Sequence, residues 1–337
     1  MTAVSAPMPT ASRLGRVLHA RELPVVVLLV LVTVATGAVN PRFLSAQSLR
    51  DLLLAVSFIA LMAIGQTFVI LMRQIDLSVG STLGLASYVA AIAVQRADGP
   101  SVPILLAVGA AVGLAVGLVN GALVSWLRLP SLVVTLGTLY VVQGIQALTV
   151  GSTRISAHQL PADVVQFGRA TFGRVPHLMW FAVVAAIIAT WVARSTRFGR
   201  DLYAMGSNPP AAELVGIPVA ARTVGAFVIS GVCAGMAGAL FLARFAGTDA
   251  NAGIGLELQV VAACVVGGVF IFGGSGSPMG ALIGAVLLKV ISLSLIAVRV
   301  PEFWQRALVG VLIIGAIAID RLVQARADAR RRTEVTI

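Results

Sequence analysis

Apolar runs of about twenty residues follow one another along almost the whole chain, and a helix of that length crosses a lipid bilayer. Hydrophobic residues make up 58% of the 337 residues and charged residues only 11%, with a mean hydropathy of +0.99. So few charged side chains cannot cover the surface of a soluble domain. The sequence therefore predicts an all-α integral membrane protein, a bundle of about ten transmembrane helices with short broken segments.

The spans are predicted at residues 23–39, 52–72, 77–94, 103–125, 131–150, 177–193, 223–245, 257–273, 278–298 and 304–320. They form one membrane domain, residues 23–320, between a polar N-terminal tail, residues 1–22, and a basic C-terminal tail, residues 321–337. No small-residue cleavage site follows the first apolar run, so we interpret it as a retained span. Arginine is more frequent in the segments that lie on the same side of the membrane as the N-terminus. This bias places both tails and the loop at residues 194–222 in the cytoplasm.

Charged and reactive residues exclude several classes of function. The net charge of +11 is spread over arginines beside the apolar runs, a pattern typical of membrane topology rather than of nucleic-acid binding. The only lysine, Lys289, lies inside a span and no Walker A pattern is present, so the chain is not itself a P-loop ATPase. The histidines lie outside the spans or, for His177, at the first residue of one, and they lack metal spacing; Cys233 and Cys264 are interpreted as packing residues. We therefore predict neither a metal site nor an enzyme.

One apolar run is interrupted by charge, hydroxyl groups and glycine. Arg73, Asp76, Ser78 and Gly80 follow one another closely where the second predicted span gives way to the third. An ionised carboxylate at membrane depth needs partners or water. We interpret the segment as a tight turn on the inner side, with Asp76 paired with Arg73 or capping the third helix. A structural and gating role is favoured over contact with a solute.

Several neutral polar residues lie within the spans or at their ends. The candidates for lining the substrate pathway are Gln66, Thr67, Asn120, Thr135 and Thr138. Each could equally bond a neighbouring helix. As a set, their hydroxyl and amide groups match the hydroxyl groups of a sugar, so the sequence favours a hydrated route for a polar solute.

The longest inner loop, residues 194–222, predicts a short helix. Asn208 is a good N-cap, Pro209 and Pro210 suit a first turn, and Gly216 suits a helix end. A short helix on the cytoplasmic face is a plausible docking element for a soluble partner. A plain interfacial connection between two spans is the alternative.

Three ordered segments resemble the ribose-type permease family of bacterial ATP-binding-cassette importers. They are Ile75–Ser81, Phe198–Asn208 with the neighbouring Ala211, Ala212, Gly216 and Ile217, and Glu257–Gly274; Pro130–Thr138 matches as well. The resemblance runs from about Leu23 to Asp320. Arg73–Asp76, Leu160–Asp163 and Val300–Trp304 are most similar to the permeases for rhamnose and for the furanosyl autoinducer, although Arg73 and Gln74 replace the family's glycine-rich approach to its Ile-Asp-Leu-Ser motif.

The resemblance implies a transport subunit in the bacterial inner membrane that moves a monosaccharide or a similar small polyol. The implied partners are an ATPase dimer that binds ATP and Mg, a periplasmic sugar-binding protein, membrane lipid and a second permease, either an identical copy or a sister chain. No cofactor is implied in this chain. The residues implied to couple transport to the ATPase are Phe198, Gly199, Arg200, Gly206, Asn208, Ala211, Ala212 and Gly216.

Two alternatives remain open. A branched-chain amino-acid permease shares the general plan within the importer class. An ion-coupled secondary transporter would need intramembrane carboxylates, for which Asp76 is one candidate and Glu257 lies at a span edge.

Overall fold

A computed structural model describes residues 23–97, 99–151 and 154–301, together with Trp304, Ala307, Gly310, Val311, Ile314, Gly315 and Ala318. This part of the chain contains twelve α-helices: α1 Leu23–Val39, α2 Ala46–Leu71, α3 Val79–Arg96, α4 Ser101–Trp126, α5 Ser131–Val150, α6 Ala162–Arg169, α7 His177–Ser195, α8 Arg197–Ser207, α9 Pro209–Leu214, α10 Val219–Phe245, α11 Leu256–Val266 and α12 Pro278–Ala297. Short 3-10 turns lie at Pro41–Leu44 and Ala157–Gln159, and strands β1 Thr171–Phe172 and β2 Val175–Pro176 form an antiparallel hairpin.

The predicted all-α membrane fold is confirmed. Within the described residues, α2, α4, α5, α7, α10 and α12 are each long and apolar enough to cross a membrane. Helix α1 has 17 residues and α11 has 11, and α3 is long enough but less apolar. The total of ten spans therefore stays a prediction. The predicted tails lie outside the described residues, and so does most of the predicted span 304–320.

The predicted span 257–273 is wrong as a continuous helix. Helix α11 ends at Val266, and turns occupy residues 267–277 before α12 begins. Gly268, Gly273, Gly274 and Gly276 all have positive φ in this segment, a conformation that glycine adopts without steric cost. Such broken helices are tolerated at membrane depth where other helices surround them. The residues 267–277 are called the glycine loop below.

Helices α2 and α10 form the centre of the bundle. Helix α10 packs against α4, α2 and α3, and α2 also packs against α12, α7 and α11. From Val56 to Leu71 every residue of α2 is buried, because other helices cover it on all sides. In contrast, α1, α4, α5 and α7 present exposed apolar side chains on their outward faces. Those faces suit lipid or a partner subunit.

Glycine brings α4 and α10 into direct backbone contact. Gly109, Gly113 and Gly117 lie one turn apart on α4, and they face Gly231 and Gly235 of α10. A Cβ atom at any of these positions would collide with backbone atoms of the opposite helix. Small residues spaced one turn apart thus let these two helices approach closely.

Candidate functional site

The turn between α2 and α3, residues 72–78, is called the Asp76 loop. Asp76 is fully buried there. Its Oδ1 accepts hydrogen bonds from the backbone N–H of Ser78 at 3.0 Å and from the Ser78 hydroxyl at 2.6 Å. Its Oδ2 accepts from the hydroxyl of Ser230 on α10 at 2.9 Å. Three donors thus compensate the carboxylate for the water it has lost.

The expected pairing of Asp76 with Arg73 is wrong. The Arg73 guanidinium points away and donates to the carbonyl groups of Gly206 and Ser207 at the end of α8. The alternative, a capping role at the start of α3, stays a prediction: Asp76 accepts from the N–H of Ser78, the residue before the first helical turn, and not from an N–H of that turn. Neutral hydroxyl and amide donors bond the buried carboxylate without adding a second charge. An arginine in their place would have moved another charged group out of water, which costs free energy.

Three neighbouring helices fix the backbone and side chains of the Asp76 loop. In the amide orientation that gives both of its atoms a partner, Gln66 of α2 donates to the carbonyl of Asp76 at 3.2 Å and accepts from its N–H at 3.0 Å. Asn120 of α4 donates to the Ser78 hydroxyl at 2.8 Å. On α5, Ser131 accepts from the N–H of Ile75 at 3.2 Å and Thr135 donates to its carbonyl at 3.3 Å. The loop is therefore held from α2, α4, α5 and α10 together.

The structure brings three of the five predicted pathway residues to this loop. Gln66, Asn120 and Thr135 are fully buried around it. Thr67 is also fully buried, but it bonds within α2 and faces Cys264 of α11 with its oxygen 4.0 Å from the sulfur. Thr138 lies half-buried further along α5. Their assignment to a substrate pathway stays a prediction.

Glycine at position 80 serves the contact between α3 and α11. A Cβ atom there would lie 2.5 Å from Oε2 of Glu257 and 2.7 Å from the carbonyl oxygen of Gly253. No larger residue fits without moving the start of α11. The fourth member of the predicted gating motif is therefore structural in this conformation.

Unpaired polar atoms also lie near this region. Among the described residues, Thr82 Oγ1, Asn120 Oδ1, Gln146 Oε1 and Glu257 Oε2 are buried without a hydrogen-bond partner. Buried polar groups are normally paired, so these acceptors have unused capacity to bond water or another polar molecule.

The short helix predicted in the loop at residues 194–222 is confirmed as α9. The Asn208 side chain accepts from the N–H of Ala211 at 3.2 Å, and Pro209 and Pro210 fill the first turn. Gly216 follows with a φ of 75°, the left-handed conformation that ends many helices. Ala212 faces inward, whereas Leu214 and Val215 are 88% and 75% exposed. An exposed apolar pair at the end of a short helix suits contact with another protein.

The sequence did not predict α8, the helix that precedes α9. Phe198, Gly199, Arg200 and Gly206 all lie in it. Thr196 caps its start by accepting from the N–H of Gly199, and Arg200 donates to the carbonyl of Ser195. In the sequence, this charged segment between two spans resembled a loop. The hydroxyl residue Thr196, a residue type that often caps the start of a helix, was a signal for α8.

Side chains anchor α8 to the membrane helices. The ring of Phe198 lies 6.2 Å from that of Phe68 on α2 and 5.8 Å from the guanidinium carbon of Arg222 on α10. Arg222 also donates to Asp201 of α8 at 2.8 Å. Because Gly225 has no side chain, the Phe198 ring can approach α10 closely. The first half of α8 is thus fixed to both central helices.

Ser230 and Ser131 are functional candidates that sequence reasoning missed. Both are single serines in apolar helices, where a hydroxyl most often bonds its own backbone. Only the fold shows that Ser230 reaches Asp76 and that Ser131 reaches Ile75.

The described residues contain no group of three or more His, Cys, Asp or Glu side chains that could hold a metal ion.

Comparisons of the sequence with known proteins identify its family. The model of the family described as "Branched-chain amino acid transport system / permease component" matches residues 48–317. The chain belongs to this permease family. The autoinducer 2 import system permease protein LsrC of Salmonella paratyphi B is 34% identical over 300 residues, which cover 89% of this chain and 86% of the relative. The protein of the same name from Escherichia coli O9:H4 is 32% identical over 314 residues, which cover 93% and 91%. No solved structure matches the chain.

Membership of the family confirms the predicted resemblance and defines the class of function. The permease is a membrane-embedded transport subunit of an ATP-binding-cassette importer, with several membrane-spanning helices. An importer of this class works with an ATPase and a substrate-binding protein. The Asp76 loop, α8 and α9 all lie inside the matched region, residues 48–317.

Proposed function

We propose that this permease imports a furanosyl sugar such as autoinducer 2, or a similar small polyol, across the inner membrane. The observation that carries the proposal is the similarity to permeases named for autoinducer 2 import over about nine-tenths of the chain. The unpaired amide oxygen of Asn120 and the unpaired hydroxyl of Thr82 support it, because neutral polar groups bond sugar hydroxyls without demanding a charge on the solute.

ATP and Mg are bound by the partner ATPase in this proposal, and the permease itself carries no catalytic step. Helix α9 docks on the ATPase through Leu214 and Val215, and α8 carries the movement to the spans. Closure of the ATPase dimer then shifts the permease between outward-facing and inward-facing states. ATP and the loaded binding protein cause that shift only through their different affinities for the two states. The orientation that follows places α8, α9 and both tails in the cytoplasm.

A second permease subunit, identical or a sister chain, covers part of the exposed apolar face of the bundle in the proposed assembly. Helix α5 supports this because Val133, Tyr140, Val141 and Leu148 are exposed along it while Thr138 lies beside them. A pathway between two subunits needs such a mixture of apolar contact and polar groups. Lipid covers the remaining apolar faces.

The second candidate is import of a branched-chain amino acid, which the printed description of the family favours. An amino acid carries both an ammonium and a carboxylate group, and a buried site for it would need charged partners for each. The acidic side chains at this region, Asp76 and Glu257, could serve only the ammonium group of an amino acid. None of the five pathway candidates is basic, so none of them would pair with its carboxylate, which favours the sugar.

The experiment measures uptake into proteoliposomes that contain the permease with its ATPase. ATP is supplied on the side that the ATPase faces, and the binding protein on the opposite side. We expect labelled autoinducer 2 to accumulate with ATP and to be outcompeted by excess unlabelled autoinducer 2 but not by leucine. Accumulation of leucine in place of the sugar would establish the second candidate. Accumulation driven by a proton or sodium gradient without ATP would contradict both.

A further inference from the structure

Three segments of the chain meet at one point on the inner side of the bundle, here called the inner junction. They are the end of α2 with Arg73, the end of α8 at Gly206 and Ser207, and the glycine loop. The N–H of Gly274 donates to the carbonyl of Leu71 at 2.9 Å. The Arg73 guanidinium donates through Nε to the carbonyl of Gly206 at 2.6 Å and through Nη2 to that of Ser207 at 3.1 Å.

Arginine suits this position because the last carbonyl groups of a helix have no partner within the helix. A cation at that end also interacts favourably with the helix dipole, and a guanidinium can reach two carbonyl groups at once. Gly206 has no space for a side chain, because a Cβ atom would collide with the carbonyl of Leu71 and the N–H of Gly274. The end of α8 therefore rests directly on the backbone of α2 and of the glycine loop.

The backbone conformation of Arg73 directs its side chain toward this contact. Its φ is 65°, a left-handed conformation that residues other than glycine seldom adopt. The hydrogen bond from its N–H to the carbonyl of Ile70 at 2.9 Å closes the end of α2 and directs the side chain at α8. A strained residue that makes two charge-assisted bonds to another element is held in place by those bonds.

From Arg73 the chain reaches the buried carboxylate within three residues. Asp76 is fixed in turn by Gln66 on its backbone and by Ser230 of α10 on its side chain. A displacement of α8 is therefore passed through Arg73 to the Asp76 loop and from there to α10. The contacts of Phe198 hold the other end of α8, so the helix acts as a lever between the two.

We propose that Arg73 is a positioning residue that joins α8 to the Asp76 loop, so that ATP-driven movement of the coupling helices reaches the buried carboxylate and opens the inner side of the pathway. This rests on the proposed function, because it assigns a step within ATP-driven import. Arg73 touches neither the solute nor ATP in this scheme.

The test compares Arg73→Gly with Arg128→Gly in the reconstituted importer and measures solute molecules transported per ATP hydrolysed. Glycine accepts the left-handed backbone, so Arg73→Gly removes the guanidinium without disturbing the turn. Arg128 is a matched control, since it is another exposed arginine with positive φ, 53°, in the turn between α4 and α5 on the same side.

We expect Arg73→Gly to retain ATPase activity stimulated by the loaded binding protein while transport per ATP falls by about fivefold or more, the scale of a typical coupling between sites. Arg73→Lys, which can still bond one carbonyl, should lie between the variant and the wild type. Arg128→Gly should keep the wild-type ratio. A merely structural cap predicts that transport and ATPase activity fall together, because fewer molecules are folded but each works normally.

A wild-type ratio in Arg73→Gly, or a proportional fall in both activities, overturns the role of Arg73. If Arg73→Gly fails to fold, the test uses Arg73→Lys and Arg73→Met instead. A wild-type number of solute molecules per ATP in both of these variants overturns the role of Arg73 as well. Absence of ATP-driven uptake in the wild type would remove the proposed function and this role with it. Uptake in the wild type with an unchanged ratio in the variants removes only the role of Arg73.

Discussion

The hydrogen bond between Ser230 and Asp76 is the contact that ties α10 to the Asp76 loop, and Ser230→Ala tests it. The bond is 2.9 Å long and both residues are fully buried. Hydrogen bonds between membrane helices contribute up to about 1.7 kcal/mol in measured cases, and bonds to charged groups about 1.5–3 kcal/mol. Because the acceptor is a carboxylate out of water, we expect Ser230→Ala to lower the free energy of unfolding by about 1.5–2 kcal/mol.

The matched control is Ser57→Ala. Ser57 is also fully buried, but its hydroxyl donates to the carbonyl of Leu54 within α2, at 2.8 Å. A bond of that kind competes with the helix's own bonding and contributes less than about 1 kcal/mol. The two variants remove the same atom from the same kind of environment, so their difference isolates the contact with Asp76.

The assay is reversible unfolding of the purified permease in mixed micelles as the fraction of denaturing detergent rises, followed by helical circular dichroism. We expect Ser230→Ala to be less stable than Ser57→Ala by about 1 kcal/mol, a factor of about five in the unfolding equilibrium. Equal stability of the two variants would refute the reasoning, because it would mean that water or another group satisfies Asp76 Oδ2. A double-mutant cycle with Asp76→Asn should show coupling of the same size.

Three further predictions follow from other parts of the fold. Gly206→Ala should lower the yield of folded permease by introducing a collision with two backbone groups, whereas Gly144→Ala, which meets open space, should leave the yield unchanged; size-exclusion chromatography in detergent measures both. Asn208→Ala should cost α9 about 1 kcal/mol of helix stability and accelerate amide hydrogen exchange over its first turn, and unchanged exchange would count against the cap. With the native cysteines replaced, Glu213→Cys should react with an impermeant thiol reagent only from the cytoplasmic side and Gln166→Cys only from the outside; the reverse pattern would invert the proposed orientation.

The hydrophobic pattern predicted the class of fold because helix formation in lipid satisfies backbone groups within each segment. The same rule made the sequence a poor guide at α11. An apolar stretch from Glu257 to Gly273 looks like one span, but the fold ends the helix at Val266 and surrounds the glycine loop with protein. The break is possible only because other helices surround it, and the sequence of the segment does not show which helices pack against it.

Local capping chemistry was predictable at α9, since Asn208 and Gly216 act on their own short segment. Contacts between distant segments were not. The sequence pointed to Arg73 and Asp76 as a pair because they are three residues apart. Arg73 instead bonds Gly206 of α8, and Asp76 bonds both its neighbour Ser78 and the distant Ser230 of α10. Two charged residues that are close in the chain pair only when no other group in space offers either of them a better hydrogen-bond geometry.

The most direct test of the central account is ATP hydrolysis by the reconstituted importer, measured as the loaded binding protein is added to vesicles that contain wild-type permease or Leu214→Asp with Val215→Asp. A charge on the exposed face of α9 should break its apolar contact with the ATPase while leaving the bundle intact. We expect the wild type to couple stimulated hydrolysis to uptake of autoinducer 2, and the variant to insert normally but to show neither. Uptake and stimulated hydrolysis at wild-type levels in the variant would contradict the assignment of α8 and α9 as the coupling element.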